Sequence, residues 1–349
     1  MASDAPVTDP VTDHLRDPVT DPVAALMLDE AGPLPSRIAI VDDVGGVLAG
    51  AALARGAEVV AVCDDVRDED ALPPGVTVAA SIDPSVFDNT DLVLWRLPRS
   101  LDAVSEVCEA IAAGAPASVR MVAGGRVKHL TPTMNPVMGR SFASVRASLG
   151  RAKSRVLHLS GPIPGPVTWP RRSTLADVGL DLVSYGQSFA TGRLDAGTAL
   201  LARHLPMGPG TAVDVGCGTG ILATLLARYG WDVLATDVSS AAVRSTSATA
   251  AANGVSVSVG RWAAIPDEVR GRDLVVCNPP FHRGAAKDST AAFDIIRDAG
   301  RALRPGGELW LVFNSHLPYL PYATRHVGPT RVVARDRSYV VTCSTRRGG

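Results

Sequence analysis

The tetrapeptide Asn278-Pro279-Pro280-Phe281 directly follows an apolar, strand-like run, Asp273-Leu-Val-Val-Cys277. It therefore falls at a strand's carboxyl end, the side on which open α/β sheets bind ligands. Two prolines fix φ and supply no N–H, which leaves the Asn278 side-chain oxygen and the Pro279 carbonyl as outward acceptors. That pair suits a planar amine conjugated to a base or an amide. Holding both amine protons turns the delocalised lone pair towards an electrophile, and Phe281 can stack on the ring being modified. Asn278, Pro279 and Phe281 are the candidate catalytic residues. His282 follows at once and is assigned to substrate binding. Packing and a general-base role stay open for it, since imidazole titrates near neutrality.

Upstream, Thr211-Ala-Val-Asp-Val-Gly-Cys-Gly-Thr-Gly-Ile-Leu-Ala-Thr-Leu-Leu-Ala227 reads as a strand, a glycine turn and an apolar helix. Closely spaced glycines accept positive φ and let a ligand approach the backbone. Asp237 follows Asp214 by 23 residues, a distance at which an acid can bind ribose hydroxyls. The dinucleotide pattern Gly-x-Gly-x-x-Gly/Ala would place Gly or Ala at position 221, where Ile221 stands. The pattern is instead Asp-x-Gly-x-Gly-x-Gly, which favours S-adenosylmethionine over a nicotinamide dinucleotide. Asp214, Gly216, Cys217, Gly218, Gly220, Asp237 and Asn278 are the candidate cofactor-binding residues. Transfer from a sulfonium acidifies the attacking amine, so its proton can leave late to water and positioning suffices.

These residues need a scaffold, and the chain is long enough for two: 349 residues, 46% hydrophobic and 20% charged, at about 100–200 residues per domain. From Arg37 onward, apolar strands alternate with Ala-rich helical stretches, the mark of βαβ units and a parallel sheet. A Pro/Gly-rich stretch over 161–170 reads as a linker, and a second series begins near Thr211. The two series match in order. Ile38–Gly46 parallels Ala212–Gly220, Gly56–Val62 parallels Gly230–Thr236, Asp91–Trp95 parallels Asp273–Cys277, and the segment from Ser118 parallels that from Gly307. A duplicated open α/β domain is expected. In the first copy the glycine turn shrinks to Gly45 and Gly46, and Arg96-Leu97-Pro98-Arg99 replaces the tetrapeptide, so this copy reads as degenerate. The expected division is a flexible acidic tail over 1–34, carrying a Val-Thr-Asp repeat, a degenerate RNA-binding domain over 35–165 and a catalytic domain over 166–349.

The formal net charge of −1 hides an asymmetry. Between Glu109 and Asp177 there is no acid, yet Arg120, Arg126, Lys128, Arg140, Arg146, Arg151, Lys153, Arg155, Arg171 and Arg172 fall there. A one-signed run of this kind suits phosphate neutralisation. Apolar runs reach only about ten residues, too short to span a bilayer, and the acidic N-terminus is no secretory signal. The five cysteines (Cys63, Cys108, Cys217, Cys277, Cys343) lack CxxC or His-linked spacing, so no metal site is expected and a cytoplasmic protein is.

With these residues in hand, the second half resembles class I S-adenosylmethionine-dependent methyltransferases of the Asn-Pro-Pro-Phe/Tyr group. More closely, residues 35–345 are similar to bacterial ribosomal RNA guanine-N2 methyltransferases of the small or large subunit. The resemblance includes Phe189-Ala-Thr-Gly-Arg-Leu-Asp-Ala-Gly197, Asn278-Pro-Pro-Phe-His-Arg-Gly284, Leu303-Arg-Pro-Gly-Gly-Glu-Leu-Trp-Leu-Val312 and Asn314-Ser-His-Leu-Pro-Tyr319. It implies two tandem Rossmann-like methyltransferase domains with open, mostly parallel sheets, the first degenerate. It further implies S-adenosylmethionine as cofactor, S-adenosylhomocysteine as product, and N2-methylguanine made in ribosomal RNA or a ribosomal subunit by a monomer. Phe189 and Arg193 join His282 as substrate-binding residues. Methylation of another planar amine, N6-adenine or a protein glutamine, is the enzyme alternative; a non-catalytic RNA-binding assembly factor is the other. One departure stands out: where the family carries an acid after the third strand, near the adenine, this chain has Gly260-Arg261-Trp262.

Overall fold

The apolar runs become two sheets with one topology. The computed structural model describes residues 21–279 and 286–348. Helix α1 (Pro22–Ala31) leads into β1 (Arg37–Val41), α2 (Val47–Leu53), β2 (Glu58–Val62), α3 (Val66–Asp70), β3 (Thr77–Val78), β4 (Leu92–Arg96), α4 (Leu101–Gly114), β5 (Arg120–Arg126), α5 (Met134–Met138), β6 (Phe142–Ala147) and β7 (Ser154–Pro162). Their strands lie in the order β3-β2-β1-β4-β5-β7-β6. Only β7 runs against its neighbours.

A short hairpin, β8 (Arg171–Leu175) and β9 (Leu180–Ser184), precedes the second unit. That unit comprises α6 (Ala196–Ala202), β10 (Gly210–Val215), α7 (Ile221–Arg228), β11 (Trp231–Asp237), α8 (Ser240–Ala252), β12 (Ser258–Arg261), β13 (Arg272–Cys277), α9 (Ala286–Ala302), β14 (Leu303–Asn314), α10 (Tyr319–His326), β15 (Thr330–Arg335) and β16 (Tyr339–Thr345). The order β12-β11-β10-β13-β14-β16-β15 repeats the first sheet position by position. Central strands such as β4 and β13 are buried on both faces, which is why they read as unbroken apolar runs rather than alternating ones.

The registers fix which residues correspond. Val41 pairs with Trp95 in the first sheet as Val215 pairs with Cys277 in the second, so Arg96 occupies the position of Asn278. Asp43 accepts the α2 amides of Leu48 and Ala49 at 3.0 and 2.8 Å, as Asp214 accepts that of Ala223 in α7 at 3.0 Å. Gly46 and Gly220 both sit in the left-handed region immediately before a helix. Gly46 follows Val41 by five positions, as Gly220 follows Val215, so the two turns are equal in length. They differ in composition: Asp42 and Asp43 stand in the first where Gly216 and Cys217 stand in the second.

Two expectations need correction. The tail expected over 1–34 is not free throughout, because residues 22–31 form α1, with Val23, Leu26 and Met27 buried against the first sheet. Asp21 caps it by accepting the Val23 amide at 3.0 Å, and Pro22 opens it where a missing N–H costs nothing. Gly124 on β5 makes room: a Cβ there would lie 2.4 Å from Met27 Cγ. Residues 1–20 lie outside the described residues. Secondly, the basic run is not free throughout, because Arg151 is ion-paired with Asp29; in the segment that replaces the tetrapeptide, Arg96 is likewise ion-paired with Asp21, while Arg99 meets His129 at 2.7 Å. The basic stretch is also divided. Arg126 pairs with Ser154 at the carboxyl end of β5 and Arg120 with Ser160 at its other end, so Arg120 lies a strand's length from Arg126, Lys128, Lys153 and Arg155.

Candidate active site

The turn from β10 to α7 carries three glycines at positive φ, with Gly216 at 72°, Gly218 at 55° and Gly220 at 81°. Gly220 is required twice over, because a Cβ would also lie 2.7 Å from Thr246 Cα on α8. Asp214 is buried beneath the turn rather than facing the pocket. Its Oδ2 accepts the Ala223 amide, its Oδ1 has no partner, and burial pushes its carboxyl up to about 7. Its position supports the turn. Cys217 is buried too and receives the Thr246 hydroxyl at 3.1 Å, while burial raises its thiol well above the ordinary range.

Asp237 ends β11 beside this turn. Its Oδ2 accepts the Gly218 amide and its Oδ1 the Ser239 amide, both at 3.0 Å. Burial raises its pKa, against those backbone bonds. A carboxylate offers about four lone-pair sites, so two remain for a pair of hydroxyl donors, and the residue fits a ribose. Trp262 donates its amide to the Asp237 carbonyl at 2.9 Å. Its ring covers Gly260 so closely that a Cβ there would fall 1.8 Å from it.

A pocket opens above the turn, lined by Gly216, Cys217, Gly218, Thr219, Phe189, Asp195, Thr198 and Asn278 among others. Asn278 brings its amide to the rim from the end of β13. Its Nδ2 donates to Asp195 Oδ2 at 3.0 Å and to Thr198 Oγ1 at 2.9 Å, and its Oδ1 is buried without a partner. A buried acceptor left open costs stability unless a donor arrives, and Asn278 lines the pocket. Pro279 follows, buried.

The structure thus gathers Gly216, Cys217, Gly218, Phe189 and Asn278 around one pocket, with Asp237 alongside. Phe189 is 63% exposed at the mouth, open to a flat ligand. Arg193 is exposed and does not line the pocket. Phe281 and His282 lie outside the described residues. Asp195 and Thr198 escaped the sequence reading as site residues, although Asp195 stands within the segment 189–197. Their signal is an Asp-x-x-Thr helix start, which ordinarily announces only an N-cap. Among the described residues no group of His, Cys, Asp and Glu could hold a metal ion. No described helix is long and apolar enough to cross a membrane.

Comparison with known proteins agrees with the two-part construction. Residues 179–343 match the Methyltransferase small domain and residues 25–162 the RLMG N-terminal domain. The ribosomal RNA large subunit methyltransferase G of Streptomyces coelicolor is 35% identical, over 77% of this chain and 75% of the relative. That of Streptomyces griseus is 33% identical, over 90% and 88%. The ribosomal RNA small subunit methyltransferase C of Hahella chejuensis is 39% identical over a shorter stretch, 48% of this chain and 50% of the relative. The T. thermophilus 16S rRNA N2 methyltransferase, solved with AdoMet and guanosine, shares the fold. Its TM-score is 0.79 at 22% identity, over 94% of this chain and 92% of that one.

Proposed function

The chain belongs to the ribosomal RNA large subunit methyltransferase G family, and we propose that it methylates the exocyclic N2 amine of a guanine in large-subunit ribosomal RNA. S-adenosylmethionine supplies an electrophilic methyl group, and S-adenosylhomocysteine is the product. Asp237 would hold the ribose hydroxyls, and the amides of the Gly216–Gly220 turn would face the rest of the cofactor. Asp214 acts from below by fixing α7 to the turn. The proposal also makes the protein cytoplasmic and monomeric.

One observation carries the assignment: Asn278 Oδ1 is buried and unpartnered while its Nδ2 is fully committed. Such an oxygen would accept one N–H of the guanine amine, and the Pro279 carbonyl would take the other. With both protons held, the amine nitrogen's lone pair stands out of the base plane and towards the pocket. The surplus proton leaves to water once the new C–N bond has formed. Phe189, exposed at the mouth, offers a face for the base. The cations at the carboxyl end of β5 and in the loop before β7, above all Lys128, Lys153 and Arg155, would hold RNA phosphates. None of these three pairs with an acid among the described residues.

Asn278→Ala tests the site. It should lower kcat about 100-fold or more, by analogy with losing a preorganised hydrogen-bonding partner, and leave S-adenosylmethionine affinity nearly intact. Near-normal turnover would remove Asn278 from the reaction.

A further inference from the structure

An asparagine side chain is a poor catalytic acceptor by itself. Its terminal torsion is broad and roughly two-fold, and half a turn exchanges the accepting oxygen for an NH2 group that would repel an incoming amine. Something must decide which end faces the substrate. In this chain both candidate partners behind Asn278 can accept. Asp195 Oδ2 lies 3.0 Å from Asn278 Nδ2 and Thr198 Oγ1 lies 2.9 Å from it. Thr198 directs its own hydroxyl proton towards Asp195 Oδ2 at 3.5 Å, and its backbone amide donates to the same oxygen at 3.1 Å. The hydroxyl lone pairs are thereby left for Asn278. A flipped amide would set its oxygen against the carboxylate and the threonine oxygen.

The local sequence is built to hold that triangle. Asp195 is the N-cap of α6, so its side chain is anchored by the helix it starts. Gly197 lets it pass: a Cβ at that position would lie 3.2 Å from Asp195 Oδ2 and 3.1 Å from the Tyr339 ring. We infer that Asp195 and Thr198 are positioning residues for transfer, locking the Asn278 amide with its oxygen towards the substrate amine. The inference rests on reading Asn278 as the acceptor for that amine. Neither residue needs to touch the substrate.

The test is a set of three variants of the full-length chain, each assayed for methyl transfer to ribosomal RNA alongside wild type. Asp195→Ser keeps a good N-cap but cannot reach Asn278, so kcat should fall about ten-fold or more, the worth of a hydrogen bond to a charged group. Asp195→Asn keeps both a cap and an acceptor oxygen and should recover most of that loss. Thr198→Val keeps the shape but removes the second acceptor, and kcat should fall severalfold. KM for RNA, S-adenosylmethionine affinity by calorimetry, and melting temperature should stay close to wild type in all three. An unchanged kcat in Asp195→Ser overturns the inference. So does a loss wholly in cofactor affinity at constant kcat, which would make Asp195 a cofactor contact. A wild-type protein that binds S-adenosylmethionine but methylates no guanine overturns the functional reading, and this inference with it.

Discussion

Arg261, at the end of β12 in the second sheet, donates from Nη1 to Glu69 Oε2 in the first unit at 2.7 Å. Its Nη2 reaches the carbonyl oxygens of Cys63 and Asp64 at 2.6 and 3.1 Å. This accounts for the missing acid after the third strand, since the position serves the seam between the two units. Asp64 returns the contact. Its carbonyl accepts the Ser240 amide and its Oδ1 the Ala241 amide, both at 2.8 Å, which sets a carboxylate on the N-terminal turn of α8. The loop after β2 and helix α3 of the first unit thus form a socket for the second.

Arg261→Ala should therefore loosen the seam. Its guanidinium is largely buried against Glu69, with side-chain exposures of 17% and 26%. Leaving those acceptors unpaired should cost about 1–3 kcal/mol, read from urea denaturation. Limited proteolysis should release the two halves sooner than from wild type. A variant as stable and as resistant as wild type would mean that the units hold together without this residue.

The same seam should make stability depend on pH. Asp42, Asp64 and Glu106 converge there, with Gln187 donating from Nε2 to Asp42 Oδ2 at 2.9 Å and its backbone amide to Glu106 Oε2 at 3.2 Å. Burial pushes Asp42 to about 7, with the Asp64 charge adding to the rise; burial likewise pushes Glu106 to about 7 and Asp64 to about 6. A folded-state pKa above the unfolded value means that the native state binds the extra proton. The contribution is complete below the ordinary carboxylate value near 3.8 and is lost as pH rises through about 7. The melting temperature should fall from about pH 4 to about pH 7 and level off above that. Asp42→Asn should flatten that fall, since Asn tolerates the positive φ of 56° at this position and Gln187 can turn its amide to present oxygen. An equal slope in wild type and variant would rule Asp42 out.

The duplication was open to sequence reasoning because four apolar runs recur in order, and the parallel sheets because central strands carry no polar interruptions. So was the glycine turn, where spacing alone favours one cofactor class. Helix α1 was hidden by its neighbourhood: Val23, Leu26 and Met27 make one apolar stripe, but an acidic repeat immediately precedes it. Charge in sequence also misled at Arg96 and Arg151, which are matched by Asp21 and Asp29 across long separations. The Asp195–Thr198–Asn278 triangle closes over about 80 residues of chain, and no local pattern distinguishes its Asp from an ordinary N-cap.

Only the second turn keeps three alternating glycines, Gly216, Gly218 and Gly220, so calorimetry on the whole chain should give one S-adenosylmethionine per protein. Asp237→Ala should weaken that binding about ten-fold or more, because it removes an acceptor of charge-assisted hydrogen bonds. It should also lower the melting temperature, since the Gly218 and Ser239 amides lose their acceptor, so the titration is run well below the melting point of the variant. A second binding event would mean that the first unit keeps a site. Unchanged affinity in the variant would put ribose recognition elsewhere.

The basic stretch should act as two groups. Lys128, Lys153 and Arg155 are exposed near the carboxyl end of β5, whereas Arg120 and Arg140 lie towards the other end of that sheet. Arg151, which belongs to the first group by position, is already paired with Asp29. Each phosphate that is no longer neutralised should lower the slope of log affinity against log salt by about 0.7–0.9. Replacing Lys128, Lys153 and Arg155 together by Ala should therefore reduce the slope by about two units. Replacing Arg120 and Arg140 should leave it nearly unchanged. The loss should appear with specific and random RNA alike, because phosphate contacts position rather than specify. Turnover at saturating RNA should survive, since the amine is held at Asn278 in the other unit. Binding titrations across several salt concentrations give the answer. An unaltered slope in the triple variant, with a reduced one in the Arg120 and Arg140 variant, would move the RNA to the opposite end of the first sheet.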